Sequence, residues 1–341
     1  HRDLHSFPTR RSSDLDLNGL DPSHIALYDF CTDLENATFK QQNNYLAVNL
    51  RQLRLKEQCG LSVDTLQAKI IMDSTSLMVQ GLKLATMHSR ASGDADIYWK
   101  ALGPQPTRPK RELTAALRAR IGHEDILALA GNYLPADLRH VYPKQPLELD
   151  IAAYGNIDSM NIAESRITIP SVIDIRTNGN ATNLTDSLHL SADMKWDIKT
   201  MNLNFLTQYL GLHNVNTPPL VLHADTKLTD NKKIMADALL QEGRGNVHLR
   251  GGIDLDRMAY DAKMYINNMQ IHDFLPHDSI YNLTAKASIH GVGTDLLSAF
   301  THFEASADIE HMRYASWDID SILILSKLKG GEGRLEMSSN N

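Results

Sequence analysis

The sequence predicts a mainly β chain: an elongated, repetitive antiparallel sheet with a few short helices between repeats. Three observations carry this. Apolar residues alternate with polar ones over long stretches, which is strand spacing with one greasy and one wet face. Leu147, Leu149, Ile151 and Ala153 do so, as do Leu220, Leu222, Ala224, Thr226 and Leu228, and Tyr281, Leu283, Ala285, Ala287 and Ile289. Ahead of each such segment stands a helix-like clump, Asp125-Ile126-Leu127-Ala128-Leu129, Asn204-Phe205-Leu206 and Asp273-Phe274-Leu275, at separations of roughly 70–80 residues. A fixed period implies stacked units rather than one compact core. Aromatic residues make up only 6% of the chain, which suits a thin two-layer or U-shaped sheet better than a thick globule.

Residues 1–15 look like the conceptual translation of a short-read sequencing adapter and are set apart from the fold. The chain carries −7 overall and −8 once the +1 of that leader is removed. Such an acidic balance argues against a nucleic-acid partner. No apolar run of about 18 residues exists to span a bilayer as a helix. The start at Asp16 and the end inside a repeat lead us to expect that both natural ends lie outside this piece. Cys31 and Cys59 have no metal-ligand spacing; they fit buried free thiols, with a disulfide left open.

Residues 16–103 form a first β repeat segment. The alternation of Tyr45-Leu46-Ala47-Val48-Asn49-Leu50 slips phase before Leu53 and Leu55, as a β-bulge would require. Leu66, Ala68, Ile70 and Met72 continue the apolar face, followed by Leu77, Val79, Leu82 and Leu84. Ser92-Gly93-Asp94 is expected to turn. Residues 104–145 hold a loop with Pro104, Pro106 and Pro109, then alternating Ala115, Leu117, Ala119 and Ile121, then two short helices separated by Gly131 and Pro135.

Residues 146–210, 211–275 and 276–341 are the later repeats. In the first, Val172, Asp174 and Arg176 precede Asn178-Gly179-Asn180, an expected hairpin. Leu188, Leu190, Ala192, Met194, Trp196 and Ile198 form the longest clean alternation, against a wholly polar opposite face. Gly211 closes a helical clump, Pro218-Pro219 restarts the strands, and Gly243-Arg244-Gly245, Gly251-Gly252 and Gly330-Gly331 are expected turns. Trp317, Ile319, Leu323 and Leu325 alternate near the end. The count comes to about 18–20 strands and three helical plugs.

Motifs of catalysis are missing. His123-Glu124 lacks a second His one helical turn later. Gly291-Val292-Gly293 does not continue into a phosphate-binding loop, and there is no Gly-x-Ser-x-Gly elbow. The expectation is no enzyme, no cofactor and no metal.

Recurrent Leu-x-Leu-x-Ala segments, the unit Ile167-Thr168-Ile169-Pro170 followed by Ile175 and Gly179, and the Phe205-Leu206 and Phe274-Leu275 plugs resemble the AsmA-like family. The likeness is strongest to its TamB branch (translocation and assembly module) in the Bacteroidota form, and extends over residues 16–341. It implies a β-taco-like groove, U-shaped and apolar inside, anchored in the inner membrane by an N-terminal helix outside this piece and reaching across the periplasm. It further implies phospholipid acyl chains as cargo in outer-membrane biogenesis, and an outer-membrane assembly protein of the BamA type as partner, met through regions outside this piece. The groove face would fall on Leu147, Leu149, Ile151, Leu188, Leu190, Met194, Trp196, Leu220, Leu222, Met264, Ile266, Leu283, Ile289, Phe303 and Ile309. The alternative is that these residues pack on one another in a closed core, which would leave a repetitive scaffold or adhesin-like binding module without lipid.

Overall fold

A computed structural model describes residues 25–99, 113–156, 158–295 and 297–339. The expected proline loop at 104–110 and the leader at 1–15 lie outside the described residues. In chain order the strands are β1 (Leu27–Lys40), β2 (Tyr45–Glu57), β3 (Ser62–Met72), β4 (Ser76–Thr86), β5 (Arg90–Tyr98) and β6 (Leu113–Ile121). Helices α1 (His123–Ala130) and α2 (Ala136–Val141) come next, then β7 (Leu147–Gly155), β8 (Ser159–Ile169), β9 (Ile173–Thr182) and β10 (Ser191–Thr200). After α3 (Asn204–Tyr209) come β11 (Leu220–Thr229), β12 (Lys233–Glu242), β13 (Gly245–Asp254) and β14 (Ala259–Met269). Helix α4 (Ile271–Phe274) leads into β15 (Ile280–Val292), β16 (His302–Tyr314), β17 (Trp317–Lys329) and β18 (Glu332–Ser339).

All eighteen strands belong to one antiparallel sheet, in which every strand pairs with the next in the chain. Among the described residues β1 and β18 are paired on one side only, so the sheet is open. Apart from strand neighbours, the principal contacts are α2 on α3 and α4 on β15. The chain exposes 22684 Å², well above the roughly 14,000 Å² of a compact monomer of this mass. Among the described residues the buried apolar ones are few: Val63, Ala68, Ile126, Ile169, Val172, Ala181, Met194, Met269 and Ala285.

Turn chemistry sets the meander. Asp230 and Asn231 both take positive φ, 51° and 48°, between β11 and β12, and Gly330 and Gly331 do so at 62° and 81° between β17 and β18. Two successive left-handed residues make the tight turn whose twist matches that of the flanking strands. Because strands alternate in direction, connections that follow even-numbered strands all lie on one margin. Helices α1 and α2 follow β6, α3 follows β10 and α4 follows β14. The helices therefore share a margin and recur every four strands.

The bulge expected near Leu50 and Leu53 is present as a register shift between β2 and β3. Several expected turns are instead strand. Gly93 lies inside β5, Gly179 inside β9, and Gly251 and Gly252 inside β13. Gly93, Gly179 and Gly251 face a neighbouring strand too closely for a side chain: a Cβ on Gly179 would meet the Asp193 carbonyl at 2.1 Å, one on Gly93 the Ala116 carbonyl at 2.4 Å, and one on Gly251 the Asp261 carbonyl at 2.7 Å. These glycines are spacers between strands, not turn residues. The actual turn of the β8–β9 hairpin is at 170–172, where Ser171 has φ 62° and the Val172 N–H donates to the Ile169 carbonyl at 2.9 Å. Cys31 is exposed and Cys59 half-buried, both free, so the expected burial of Cys31 is corrected.

Candidate functional site

Strand register decides which residues share a face, because a slip of one residue moves every side chain to the other side. Following directly opposed partners from β2, one row runs Leu53, Leu66, Leu84, Ala91, Ala119 and Leu149. It continues through Ile167, Ile175, Ile198, Leu222 and Leu240. It ends with Val247, Ile266, Ala285, Ile309 and Ile322 on β17. The row contains only aliphatic residues, and no polar side chain interrupts it between β2 and β17. Adjacent rows on the same face include Trp196, Ala224, Ala238, Leu249, Met264 and Ala287. The Trp196 indole N–H donates to Thr226 Oγ1 at 2.9 Å on this face, which satisfies its one polar atom and leaves the ring as apolar surface.

Thirteen of the fifteen residues expected to line a groove are on strands of this face: Leu147, Leu149 and Ile151 on β7, Met194 and Trp196 on β10, Leu220 and Leu222 on β11, Met264 and Ile266 on β14, Leu283 and Ile289 on β15, and Phe303 and Ile309 on β16. Leu188 and Leu190 are corrections, since β10 begins only at Ser191. Leu188 sits in a turn at 66% exposure, where its N–H donates to Asp186 Oδ1 at 3.0 Å. The Asp186 side chain captures the backbone locally, so that the strand starts at Ser191 instead of at Leu188.

Leu323 and Leu325 are a second correction. Ser321 takes φ 59° and shifts the phase, so that Ile322 and Ile324 face the apolar side and Leu323 and Leu325 the other. Sequence reasoning also missed Leu240 and Val247, because Met235 and Leu239 on the opposite face of β12 blur its alternation. Ile175 was missed because the series Val172, Asp174, Arg176 has the wrong parity: Asp174 and Arg176 belong to the charged face.

That opposite face is laced with cross-strand ion pairs. Arg166 donates to both oxygens of Asp174 at 2.7 and 2.8 Å. Its guanidinium, more than the opposing effect of burial, holds the Asp174 carboxyl below the usual range. His248 and Arg250 both reach Asp237, at 2.6 and 2.8 Å, and Arg118 reaches Asp150 at 3.1 Å. A surface depression of about 850 Å³ lies here, lined by charged residues such as Asp225, Lys233 and Arg250 together with Met235 and Tyr260. A smaller one of about 340 Å³ lies on the apolar face, lined by Leu249, Met264, Ala287, Ile289, Ala307 and Ile324.

Three carboxylates at the helical margin, Glu57, Asp125 and Glu242, are buried. Asp125 of α1 is buried and accepts from Thr86 Oγ1 and Ser89 Oγ; Ser89 Oγ in turn accepts the Gly122 N–H at 3.0 Å. Burial pushes the Glu57 carboxyl up, but the N–H groups of Cys59 and Ala26, donating at 2.6 and 3.1 Å, outweigh it and leave the group below its ordinary value. Glu242 is pushed up by burial and further by Asp273 of α4, and its Oε2 has no hydrogen-bond partner. Tyr142 packs between His123, whose ring is tilted at 6.0 Å, and Phe205, which it meets edge-on at 6.4 Å, and the Asn216 N–H donates to the Phe274 carbonyl at 2.8 Å. These contacts join the helices into one band.

Among the described residues no group of three or more His, Cys, Asp or Glu could hold a metal ion, and no helix is long and apolar enough to cross a membrane. No family model, curated protein or solved structure matches this chain.

Proposed function

We propose that this chain is a segment of a bridge-like lipid-transfer protein of the AsmA-like family, close to its TamB branch, in which the apolar face shields phospholipid acyl chains between two membranes. The observation that carries this reading is the aliphatic row unbroken from β2 to β17. At about 4.8 Å per strand, the fifteen steps between those strands extend roughly 72 Å. An apolar stripe of that length is costly in water unless something greasy covers it. Row members such as Ile198, Leu222, Leu240 and Ile266 are half-exposed rather than buried, which favours an uncovered face over a closed core. Each methylene laid on the row contributes about 0.8 kcal/mol, so half a dozen contribute about 5 kcal/mol without any headgroup contact. Successive positions are chemically alike, so a chain can move along the row without crossing a polar step.

In this reading the sheet curls into a U-shaped groove around the lipid tails, and the ion pairs of the opposite face keep the outside wet. The segment works in the periplasm as part of a protein held by an inner-membrane anchor. An outer-membrane assembly protein of the BamA type receives the cargo, and no catalysis is involved.

The test is to express the chain in a bacterial periplasm, purify it in mild detergent and identify co-purifying lipid by mass spectrometry. Leu222→Glu with Met264→Glu interrupts the face at two half-exposed positions. We expect phospholipid on the parent and at least tenfold less on the double variant, with unchanged circular dichroism. A folded parent free of lipid would overturn the reading and leave the scaffold alternative.

A further inference from the structure

The margin opposite the helices carries a second apolar feature, in the connection between β15 and β16. Leu297 and Phe300 are 94% and 89% exposed, while Thr301 beside them is 2% exposed. From 296 to 301 the sequence holds no charged residue. The backbone around these two side chains is satisfied from within. The Leu297 N–H donates to Asp295 Oδ1 at 3.0 Å and the Phe300 N–H to Ser298 Oγ at 3.3 Å. The N–H groups of Ser298 and Thr301 donate to the carbonyls of Asp295 and Ser298 at 3.0 and 3.1 Å, and Thr301 Oγ1 donates to the Asp295 carbonyl at 2.6 Å. The neighbouring β13–β14 connection adds exposed Leu255 and Met258, tied on by the Gly293 N–H to the Met258 carbonyl at 2.9 Å.

We propose that this tip is a contact for a lipid bilayer surface, with Leu297 and Phe300 inserting among the headgroups and upper acyl carbons. Two features select lipid over a protein partner. A segment entering an apolar medium must leave no backbone N–H stranded, and here four of the five N–H groups from 297 to 301 are already bonded inside the loop. The tip also offers roughly 400 Å² of apolar side chain, about half of what a protein partner needs on one side of a stable interface. Phe303, three residues beyond Phe300, belongs to the apolar face, so the tip stands at its lip. That position gives acyl chains a short path between face and bilayer. Only this passage rests on the acyl-shielding reading; the bilayer contact does not.

The experiment is flotation of the full chain with large dioleoylphosphatidylcholine vesicles at 0.1 and 0.5 M NaCl. We expect the parent to float equally at both salt concentrations, because the inserting side chains of Leu297 and Phe300 carry no charge. Leu297→Ser with Phe300→Ser should reduce partitioning on the order of a hundredfold, as expected for two large side chains that no longer enter an apolar phase. Met87→Ser, at a residue 81% exposed on the helical margin, should leave flotation unchanged. Equal flotation of parent and double variant, or no flotation of the parent, overturns the proposal. So does a parent that stays off vesicles as a dimer which the double variant makes monomeric, since the tip would then be a self-association patch. Flotation that persists in a parent carrying no co-purified lipid sinks the acyl-shielding reading and leaves this one standing.

Discussion

Gly251 shows at the scale of one residue how closely the strands approach on the apolar face. A Cβ there would meet the Asp261 carbonyl at 2.7 Å and the Ala262 side chain at 2.8 Å, contacts that backbone must move to relieve. Gly251→Ala should therefore cost about 2 kcal/mol or more, whereas Gly333→Ala, whose nearest neighbour is Leu328 Cδ1 at 3.7 Å, should stay within about 0.5 kcal/mol; thermal melts separate the two. Two carboxylates have opposite pH signatures. Asp174 is held low by Arg166, so its contribution is present above its unfolded value near pH 4 and lost as pH falls through the folded one. Asp174→Asn should lower stability by about 1 kcal/mol at pH 7 and by progressively less as the pH falls below the unfolded value near 4. Glu242 is held high by burial, so the fold loses stability as pH rises from about 4 through its folded value. Glu242→Gln should raise the melting temperature at pH 8 and leave it unchanged at pH 4.

At the scale of the element, the helical plugs and the regular strands were legible because each has a local cause. Leu117 to Ile121 alternates without exception, and the α1 boundary follows from Gly122 and Gly131 flanking an apolar clump. What could not be read is where a local signal yields to a partner elsewhere in the sheet. Asn178-Gly179-Asn180 has the composition of a turn, yet Met194 on β10 needs the space a glycine leaves, and that partner is invisible without the register. Leu188 and Leu190 fit the alternation by spacing, yet Asp186 diverts the chain into a turn. For the same reason the face was legible strand by strand while its continuity was not: an unbroken row from β2 to β17 depends on fifteen registers, each set by turns and bulges. One contact anchors the first plug. Asp125→Ala would strand Thr86 and Ser89 and remove two charge-assisted hydrogen bonds, and should cost about 2–3 kcal/mol, read as a drop in melting temperature and faster amide exchange across α1.

For the whole molecule, chain order and spatial order coincide. A one-dimensional sheet of eighteen strands should scatter X-rays as an elongated particle, with a radius of gyration well above the roughly 20 Å of a compact chain of this length; a value near 20 Å would mean that the sheet folds back on itself. Placing helices on one margin at intervals of four strands has a further effect. Removing α3 to β14, residues 201–269, would join β10 directly to α4 and β15, with the direction of every remaining strand preserved and Ile198 brought opposite Ala285. Such a deletion should fold and shorten the particle by about 19 Å, the width of four strands. The length of the sheet is thus adjustable by gene duplication or loss of a four-strand cassette, without inventing a new interface, so that a lineage could lengthen the protein by copying what it already has.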